Sequence, residues 1–272
     1  MRRLRLCFHW FSCLCLILLT TPAGAATSLK VGGTGAAYAV LEKLIAEYRR
    51  TDPSRQVEIV KPPLGSGAGI RAVSAGYLDL AISGRPLKPD EATTLMAREL
   101  ARSPLAFVVN GAVGRQQIGR HELADIYSGK MSHWEDGTPL RLILRPASDA
   151  DTAIVKKLAP EIDLALTEAL VRPGMAIATH DMENTEILMR AKGVFGTITL
   201  CQLRAQDLAL QPLALNGTMP TLKAMAAGTY PLYKPFILIT RSEKTAALEH
   251  FMKFLFSPKA RQIMLSNDCQ PG

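Results

Sequence analysis

Apolar residues along the chain fall into short segments that alternate between the spacing of a strand and that of a helix. A first strand is predicted at 29–31, and the helix that follows it ends at Asp52-Pro53. The apolar stripe of this helix consists of Val40, Leu41, Leu44, Ile45 and Tyr48. Further strands are predicted at 57–60 and 78–82, with a short helix through Val73 between them. This order indicates a parallel sheet with crossover helices.

The same alternation continues through the second half of the chain. Strands are predicted at 107–109, 140–144, 194–199 and 236–240. Helices are predicted at 121–127, at 152–158, around Ile187 and Leu188, and from Leu248 to Phe256, with a final turn that holds Ile263 and Met264. We therefore predict an α/β protein of two lobes. Each lobe is a mainly parallel sheet flanked by helices, and a cleft separates the two.

The amino terminus has the pattern of an export signal. A cationic start, MRRLR, is followed by an apolar run at 7–19 and by the small residues Ala23-Gly24-Ala25. The alternative is a membrane anchor, but the run is shorter than the ~20 residues that cross a bilayer and contains His9. We predict a cleaved signal peptide at 1–25 and an exported, periplasmic protein.

Charge and cysteine content narrow the function further. The formal net charge is +8, and the basic residues are scattered rather than clustered, so no nucleic-acid partner is expected. A mildly positive balance favours small anionic ligands. Of the five cysteines, Cys201 and Cys269 follow the predicted signal. An oxidising compartment permits a disulfide between them, and the sequence leaves open whether they are close enough to form one.

Three junctions between a predicted strand and the next helix are rich in hydrogen-bond donors. They are Gly32–Gly35, which contains Thr34; the glycine-rich turn Gly65–Gly69, which contains Ser66; and Arg145–Thr152. Glycines let a ligand approach the backbone, and helix amino termini attract anions. Each junction alone could be a plain chain reversal. Three of them at equivalent strand ends predict an anion-binding site.

Motifs of other site classes do not match. No Lys-Ser or Lys-Thr follows Gly69, so the loop is not a nucleotide P-loop, and its spacing misses the dinucleotide fingerprint. No serine lies in a G-x-S-x-G turn, and His121, His133, His180 and His250 lack metal-ligand spacing. We therefore predict a binding protein rather than an enzyme, with no catalytic residue, metal or cofactor.

Taken together, the chain resembles the substrate-binding component of phosphate ABC transporters. The segments that carry the resemblance are 65–70, 78–87, 123–130 with Trp134, 193–198, 230–235 and 254–258. The resemblance implies a type 2 periplasmic-binding-protein fold, with lobe 1 at 26–108 and 232–272 and lobe 2 at 109–231. It also implies a monomer that delivers a small oxyanion, phosphate first, to a membrane ABC permease. The alternatives are a different anion, or a sensory role without transport.

The resemblance also assigns ligand contacts. From the first lobe they are Thr34, Gly35, Ser66, Gly67, Ser83 and Arg85, and from the second Arg145, Ser148, Asp149, Asp151 and Thr152. Two positions depart from the family pattern. Gly84-Arg85 stands where phosphate binders carry an Asp, and Asp149-Ala150-Asp151-Thr152 replaces a Gly-Ser-Gly-Thr loop.

The carboxylates of the altered loop have two interpretations. Asp149 or Asp151 could replace the missing Asp and accept the proton that hydrogen phosphate carries and sulfate lacks. Alternatively both only cap the helix, since Ser148 with Asp151 three residues later resembles a capping box.

Overall fold

The structure, a computed structural model, describes residues 28–272, and the predicted signal peptide lies outside this range. The strands are β1 (Leu29–Gly33), β2 (Val57–Ile59), β3 (Leu80–Ser83), β4 (Leu95–Asn110), β5 (Gln117–Ile118), β6 (Arg141–Leu144), β7 (Ala176–Ile177), β8 (Val194–Thr199), β9 (Leu210–Pro212), β10 (Ala214–Leu215), β11 (Tyr233–Arg241) and β12 (Gln270–Pro271). The α-helices are α1 (Tyr38–Thr51), α2 (Gly65–Ser74), α3 (Arg120–Ser128), α4 (Ala150–Lys156), α5 (Pro160–Val171), α6 (Asp181–Leu188), α7 (Leu200–Ala205), α8 (Leu222–Ala226), α9 (Ala246–Leu255) and α10 (Pro258–Leu265).

Two lobes share one continuous run of strands in the order β2-β1-β3-β11-β4-β8-β6-β7. The strands β2, β1 and β3 of lobe 1 pair in parallel, as do β8, β6 and β7 of lobe 2. The long strands β4 and β11 are antiparallel to their neighbours. Along β4 the partner changes from β11 to β8 between Pro104 and Leu105, which places the crossing between lobes at this point.

Each lobe has its own hydrophobic core on both faces of its sheet. In lobe 1, α1, α9 and α10 pack on one face and α2 on the other. In lobe 2, α3 and α5 cover one face, while α6 and α7 lie on the other. The boundaries 26–108 and 109–231 remain predictions of domain extent. Within residues 28–272, every helix is too short or too polar to span a bilayer.

Several predicted elements differ from those observed. The glycines predicted as a turn at 65–69 lie inside α2, which begins at Gly65. The predicted final turn is a full helix, α10, because Pro258 occupies its first position and the Ser257 hydroxyl caps it. Helix α5 was not predicted, although Pro160 also begins it. Its apolar and polar residues give only a weak helical stripe, with Leu164 and Val171 exposed.

A disulfide lies beside the crossing strand β4. Cys201 on α7 is bonded to Cys269, with their Cα atoms 5.1 Å apart, and both residues are fully buried. Ser103 of β4 lies between the two chain segments. Its hydroxyl accepts from the Cys201 amide at 2.9 Å and donates to the Asp268 carbonyl at 3.0 Å. The disulfide therefore joins a helix that follows lobe 2 strand β8 to the carboxyl-terminal segment of lobe 1.

Candidate functional site

Five ionisable side chains meet between the two lobes, and we refer to them as the ion cluster. They are Arg145, Asp149, Asp151, Asp181 and Lys234. All but Asp149 are nearly inaccessible to solvent, with at most 4% of each residue exposed. Charged groups are rarely buried to this extent unless they are paired, so the cluster must be held together by its own contacts.

Lys234 lies at the centre of the cluster because the crossing strand β11 directs its side chain between the lobes. Its ammonium nitrogen is 2.8 Å from Asp151 Oδ1 and 3.2 Å from Asp181 Oδ1. The stem of the side chain runs over Gly84, the residue that follows β3. A Cβ on Gly84 would lie 2.6 Å from Lys234 Cε. The absence of a side chain at Gly84 therefore makes room for the lysine.

Arg145 follows the end of β6 and is fixed from several sides. One guanidinium nitrogen lies 2.8 Å from Asp149 Oδ2 and 3.7 Å from Asp181 Oδ1. The other donates to the Ala178 carbonyl at 3.1 Å. The Thr152 hydroxyl donates to the Arg145 carbonyl at 3.0 Å and so fixes the loop. Arginine is suited to this position because its planar fork binds several oxygens at once.

Asp181 is the first residue of α6 and receives donors from both lobes. Its Oδ2 accepts from the Thr34 hydroxyl of lobe 1 at 3.2 Å, while its Oδ1 faces Lys234 and Arg145. Gly35 permits this approach, because a Cβ there would lie 3.1 Å from the Asp181 Cβ. The two carboxylate oxygens of Asp181 thus accept hydrogen bonds from a hydroxyl and an ammonium group, and one of them also lies near a guanidinium group.

Three carboxylates and two cations leave the ion cluster with a formal excess of one negative charge. Burial raises the pKa of Asp151 to about 6 despite the nearby Lys234. Burial also opposes ionisation of Asp181, but Lys234 and Arg145 outweigh it and hold the pKa of that carboxyl well below its usual value. Asp151 is therefore the carboxyl group of the cluster that takes up a proton most readily. No group of His, Cys, Asp and Glu in residues 28–272 is arranged to hold a metal.

The raised pKa of Asp151 predicts an unusual pH dependence of stability. The folded chain binds a proton between pH 3.8 and about 6 more readily than the unfolded chain does. The free energy of unfolding should therefore rise as the pH falls from 7 to 5. The lowered pKa of Asp181 has the opposite effect on stability. It lowers the free energy of unfolding as the pH falls, but only below the usual pKa range of a carboxyl group.

Urea unfolding of the wild type and of Asp151→Asn at pH 7 and pH 5 tests this prediction. We expect the variant to lose the gain in stability at pH 5. An equal gain in both proteins would show that Asp151 is not the group responsible.

The structure brings together some of the sequence-predicted site residues. Thr34, Arg145, Asp149 and Asp151 meet in the ion cluster. Ser66 lies next to it, since its hydroxyl oxygen accepts from the Gly84 amide at 2.8 Å. Gly35 and Thr152 touch the cluster as described above.

Other predicted residues lie outside the cluster. The guanidinium of Arg85 is held by both carboxylate oxygens of Glu91 at 2.7 Å, and Ser83 donates to the Arg85 carbonyl. Gly67 lies within α2, where Arg71 is its nearest side-chain neighbour. Neither Arg85 nor Ser83 forms a hydrogen bond or ion pair with a member of the ion cluster.

The predicted capping box is also wrong in its details. Ser148 is exposed, and Asp149 is the N-cap of α4, because its Oδ1 accepts from the Asp151 amide at 2.9 Å. Asp149 thus combines a capping role with the ion pair to Arg145, whereas Asp151 caps nothing and faces Lys234.

Sequence reasoning missed Asp181 and Lys234. An acidic residue in the first turn of a helix is common, so Asp181 gave no signal of its own. Lys234 lay within a segment that carried the family resemblance, and a lysine in a buried strand is unusual enough to have drawn notice. Neither residue could be connected to Asp151 without knowing the tertiary packing of the chain.

The contact between Gly84 and Lys234 predicts opposite effects for two glycine substitutions. Gly84→Ala should lower the free energy of unfolding by about 1–3 kcal/mol, because the new methyl group overlaps the buried lysine stem. Gly67→Ala, in the open first turns of α2, should be neutral or stabilising by up to about 1 kcal/mol. Thermal unfolding of the two variants checks this, and a loss at Gly67 as large as at Gly84 would contradict it.

A cavity of about 390 Å³ opens beside the ion cluster between the lobes. Gly84 to Pro86 line it from lobe 1, while Ser148 to Ala150 and one side of α4 line it from lobe 2. The wall is completed by 231–233 and Pro235. Asp149 therefore lies between the buried cluster and a space large enough for a small ligand.

Comparisons with known proteins agree with this architecture. Residues 20–259 match the family model of the PBP superfamily domain. A phosphate-binding protein PstS of Bacillus subtilis is 25% identical over 252 residues, which cover 89% of this chain and 80% of that protein. PstS 2 of Streptococcus pneumoniae is 34% identical over 107 residues, 39% of this chain and 36% of that protein.

Solved structures share the two-lobed fold. A Clostridium perfringens protein with bound phosphate superposes with a TM-score of 0.77 at 18% identity, covering 90% of this chain and 99% of that one. An ABC-type phosphate transport receptor from Vibrio cholerae gives a TM-score of 0.65 at 22% identity, covering 89% and 99%. Since the family model spans most of the sequence and the lobes have the matching fold, the chain belongs to the PBP superfamily domain family.

Proposed function

We propose that the chain is a periplasmic solute-binding component of an ABC importer that captures a small oxyanion, with phosphate as the first candidate, and delivers it to a membrane permease. The relatives that match along most of the chain are named phosphate-binding proteins, which supports the ligand class. The protein acts by binding rather than by catalysis.

One observation carries the proposal. Donors from lobe 1, from lobe 2 and from the crossing strand converge on a single pair of carboxylate oxygens. The hydroxyl of Thr34, the guanidinium of Arg145 and the ammonium of Lys234 would serve the oxygens of a phosphate equally well. Ser66 adds a hydroxyl beside them, in the first turn of the ten-residue helix α2.

Asp151 supplies a reason to prefer phosphate over sulfate. Asp149 has two partners, Arg145 and the Asp151 amide, whereas Asp151 has Lys234 as its ion-pair partner, so Asp151 keeps more acceptor capacity for the proton of a ligand. Hydrogen phosphate carries such a proton at neutral pH and sulfate does not. Replacing Asp151 by Asn should therefore narrow the difference in affinity between the two anions.

The experiment is a thermal-shift series on the exported chain, purified and freed of bound anions by partial unfolding. Phosphate, sulfate, molybdate, phosphonates and small carboxylates are compared. A ligand bound only by the folded state stabilises it by ~2.7 kcal/mol at a hundredfold excess over Kd. A shift with phosphate larger than with sulfate is expected. No shift with any oxyanion would refute the proposal.

The ion cluster also favours a second candidate, a sensory protein that presents its joined lobes to a membrane partner without transport. The contacts between Thr34, Asp181 and Lys234 tie the lobes through the chain's own side chains. This candidate predicts no thermal shift with any oxyanion in the same series. Co-purification with a permease would count against it.

A further inference from the structure

The ion cluster contains one carboxylate more than its cations need. Lys234 has Asp151 at 2.8 Å, and Arg145 has Asp149 at 2.8 Å, so each cation already has a close partner of opposite charge. Asp181 is the additional carboxylate, at 3.2 Å from Lys234 and 3.7 Å from Arg145. Neutralising the two cations therefore does not require Asp181.

The contacts of Asp181 are those of a bound anion. It accepts from the Thr34 hydroxyl of lobe 1 and faces the ammonium and guanidinium groups that we assign to the oxyanion. These groups therefore cannot reach a phosphate fully while Asp181 remains in place. Its carboxylate also adds a like charge next to any anionic ligand, which is unfavourable.

We propose that Asp181 is a tethered internal anion that occupies the oxyanion position, competes with the external ligand for Thr34, Arg145 and Lys234, and holds the two lobes together. This inference rests on the proposed function for the identity of the competing ligand. Asp181 lies on α6 of lobe 2 and Thr34 follows β1 of lobe 1, so their contact joins the lobes directly. A competitor on the same chain acts at a high effective concentration and lowers the apparent affinity for the external anion.

The proposal makes Asp181 the residue that sets ligand affinity. Its removal by Asp181→Ala leaves two carboxylates opposite two cations and removes the competing carboxylate from the three donors. Phosphate should then bind about tenfold more tightly or better than in the wild type, since both the competition and the like charge are gone. Asp181→Asn should give a smaller gain, because the amide loses the charge and keeps the volume.

The test is isothermal titration of inorganic phosphate into the wild type, Asp181→Ala and Asp181→Asn, with circular dichroism to establish folding. Asp163→Ala is the matched control, because Asp163 on α5 is an exposed lobe 2 carboxylate whose partners are the nearby Lys156 and Thr167. Tighter binding by the Asp181 variants and unchanged binding by the control are expected. Equal or weaker binding by folded Asp181 variants would overturn the proposal. If Asp181→Ala does not fold, Asp181→Asn decides the outcome.

Small-angle X-ray scattering of the same proteins without phosphate separates this inference from the proposed function. A larger radius of gyration for Asp181→Ala than for the wild type is expected, because the contact between the lobes is lost. If no variant binds phosphate, the proposed function fails. A larger radius for the variant would then still support Asp181 as the residue that joins the lobes, and an unchanged radius would overturn it.

Discussion

Replacing Lys234 by methionine is expected to lower the free energy of unfolding by about 3–5 kcal/mol. The substitution keeps most of the side-chain volume and removes the buried positive charge. Asp151 and Asp181 would then face each other in the interior with Arg145 as the remaining cation of the ion cluster. An uncompensated buried carboxylate is one of the most destabilising features a point substitution can create.

Urea unfolding at pH 7 measures this effect. Lys156→Met serves as the control, because Lys156 forms a comparable ion pair with Asp163 at the surface. That pair should be worth less than about 1 kcal/mol. Adding Asp151→Asn to the Lys234 variant should restore part of the lost stability, since it removes one of the stranded charges. Equal losses in the free energy of unfolding for the Lys234 and Lys156 variants would show that Lys234 is not buried among unpaired carboxylates as described.

Loss of the disulfide should lower the free energy of unfolding by a similar amount. Cys201 and Cys269 are separated by 68 residues, and a cross-link over such a loop stabilises a fold by about 2–5 kcal/mol. The double variant Cys201→Ala with Cys269→Ala is therefore expected to unfold at a markedly lower urea concentration than the oxidised wild type.

Reducing agent provides the internal control for this prediction. It should destabilise the wild type and leave the double variant unchanged, because the variant has no bond to reduce. A wild type that is insensitive to reductant under unfolding conditions would indicate that the two thiols are not bonded in the purified protein.

The sequence predicted the elements whose apolar pattern is regular. Strands β6 and β8 and the amphipathic helices α1 and α9 lie within a few residues of their predicted positions. Helix α5 was not predicted because its apolar residues do not form one clear stripe, and two of them point to solvent. The full length of β4 was not predicted because its first half carries polar residues on the exposed side of a crossing strand.

The candidate site was predicted only in part, for a different reason. Thr34, Ser66 and Arg145 follow strand ends, where ligand sites of parallel sheets lie, and local sequence is sufficient to propose them. Lys234 and Asp181 join them only through tertiary packing, because Lys234 and Asp181 are 53 residues apart in sequence and Asp181 and Thr34 are 147 apart. The role of Gly84 could not be predicted for the same reason, because it depends on the stem of the Lys234 side chain that passes over it.

A crystal structure of the Asp181→Ala chain grown with phosphate would locate the bound ligand. We expect a tetrahedral anion between the lobes, within hydrogen-bond distance of the Thr34 hydroxyl, the Arg145 guanidinium and the Lys234 ammonium. An ordered cleft in which those three groups contact only protein and water, in crystals grown with phosphate, would contradict it.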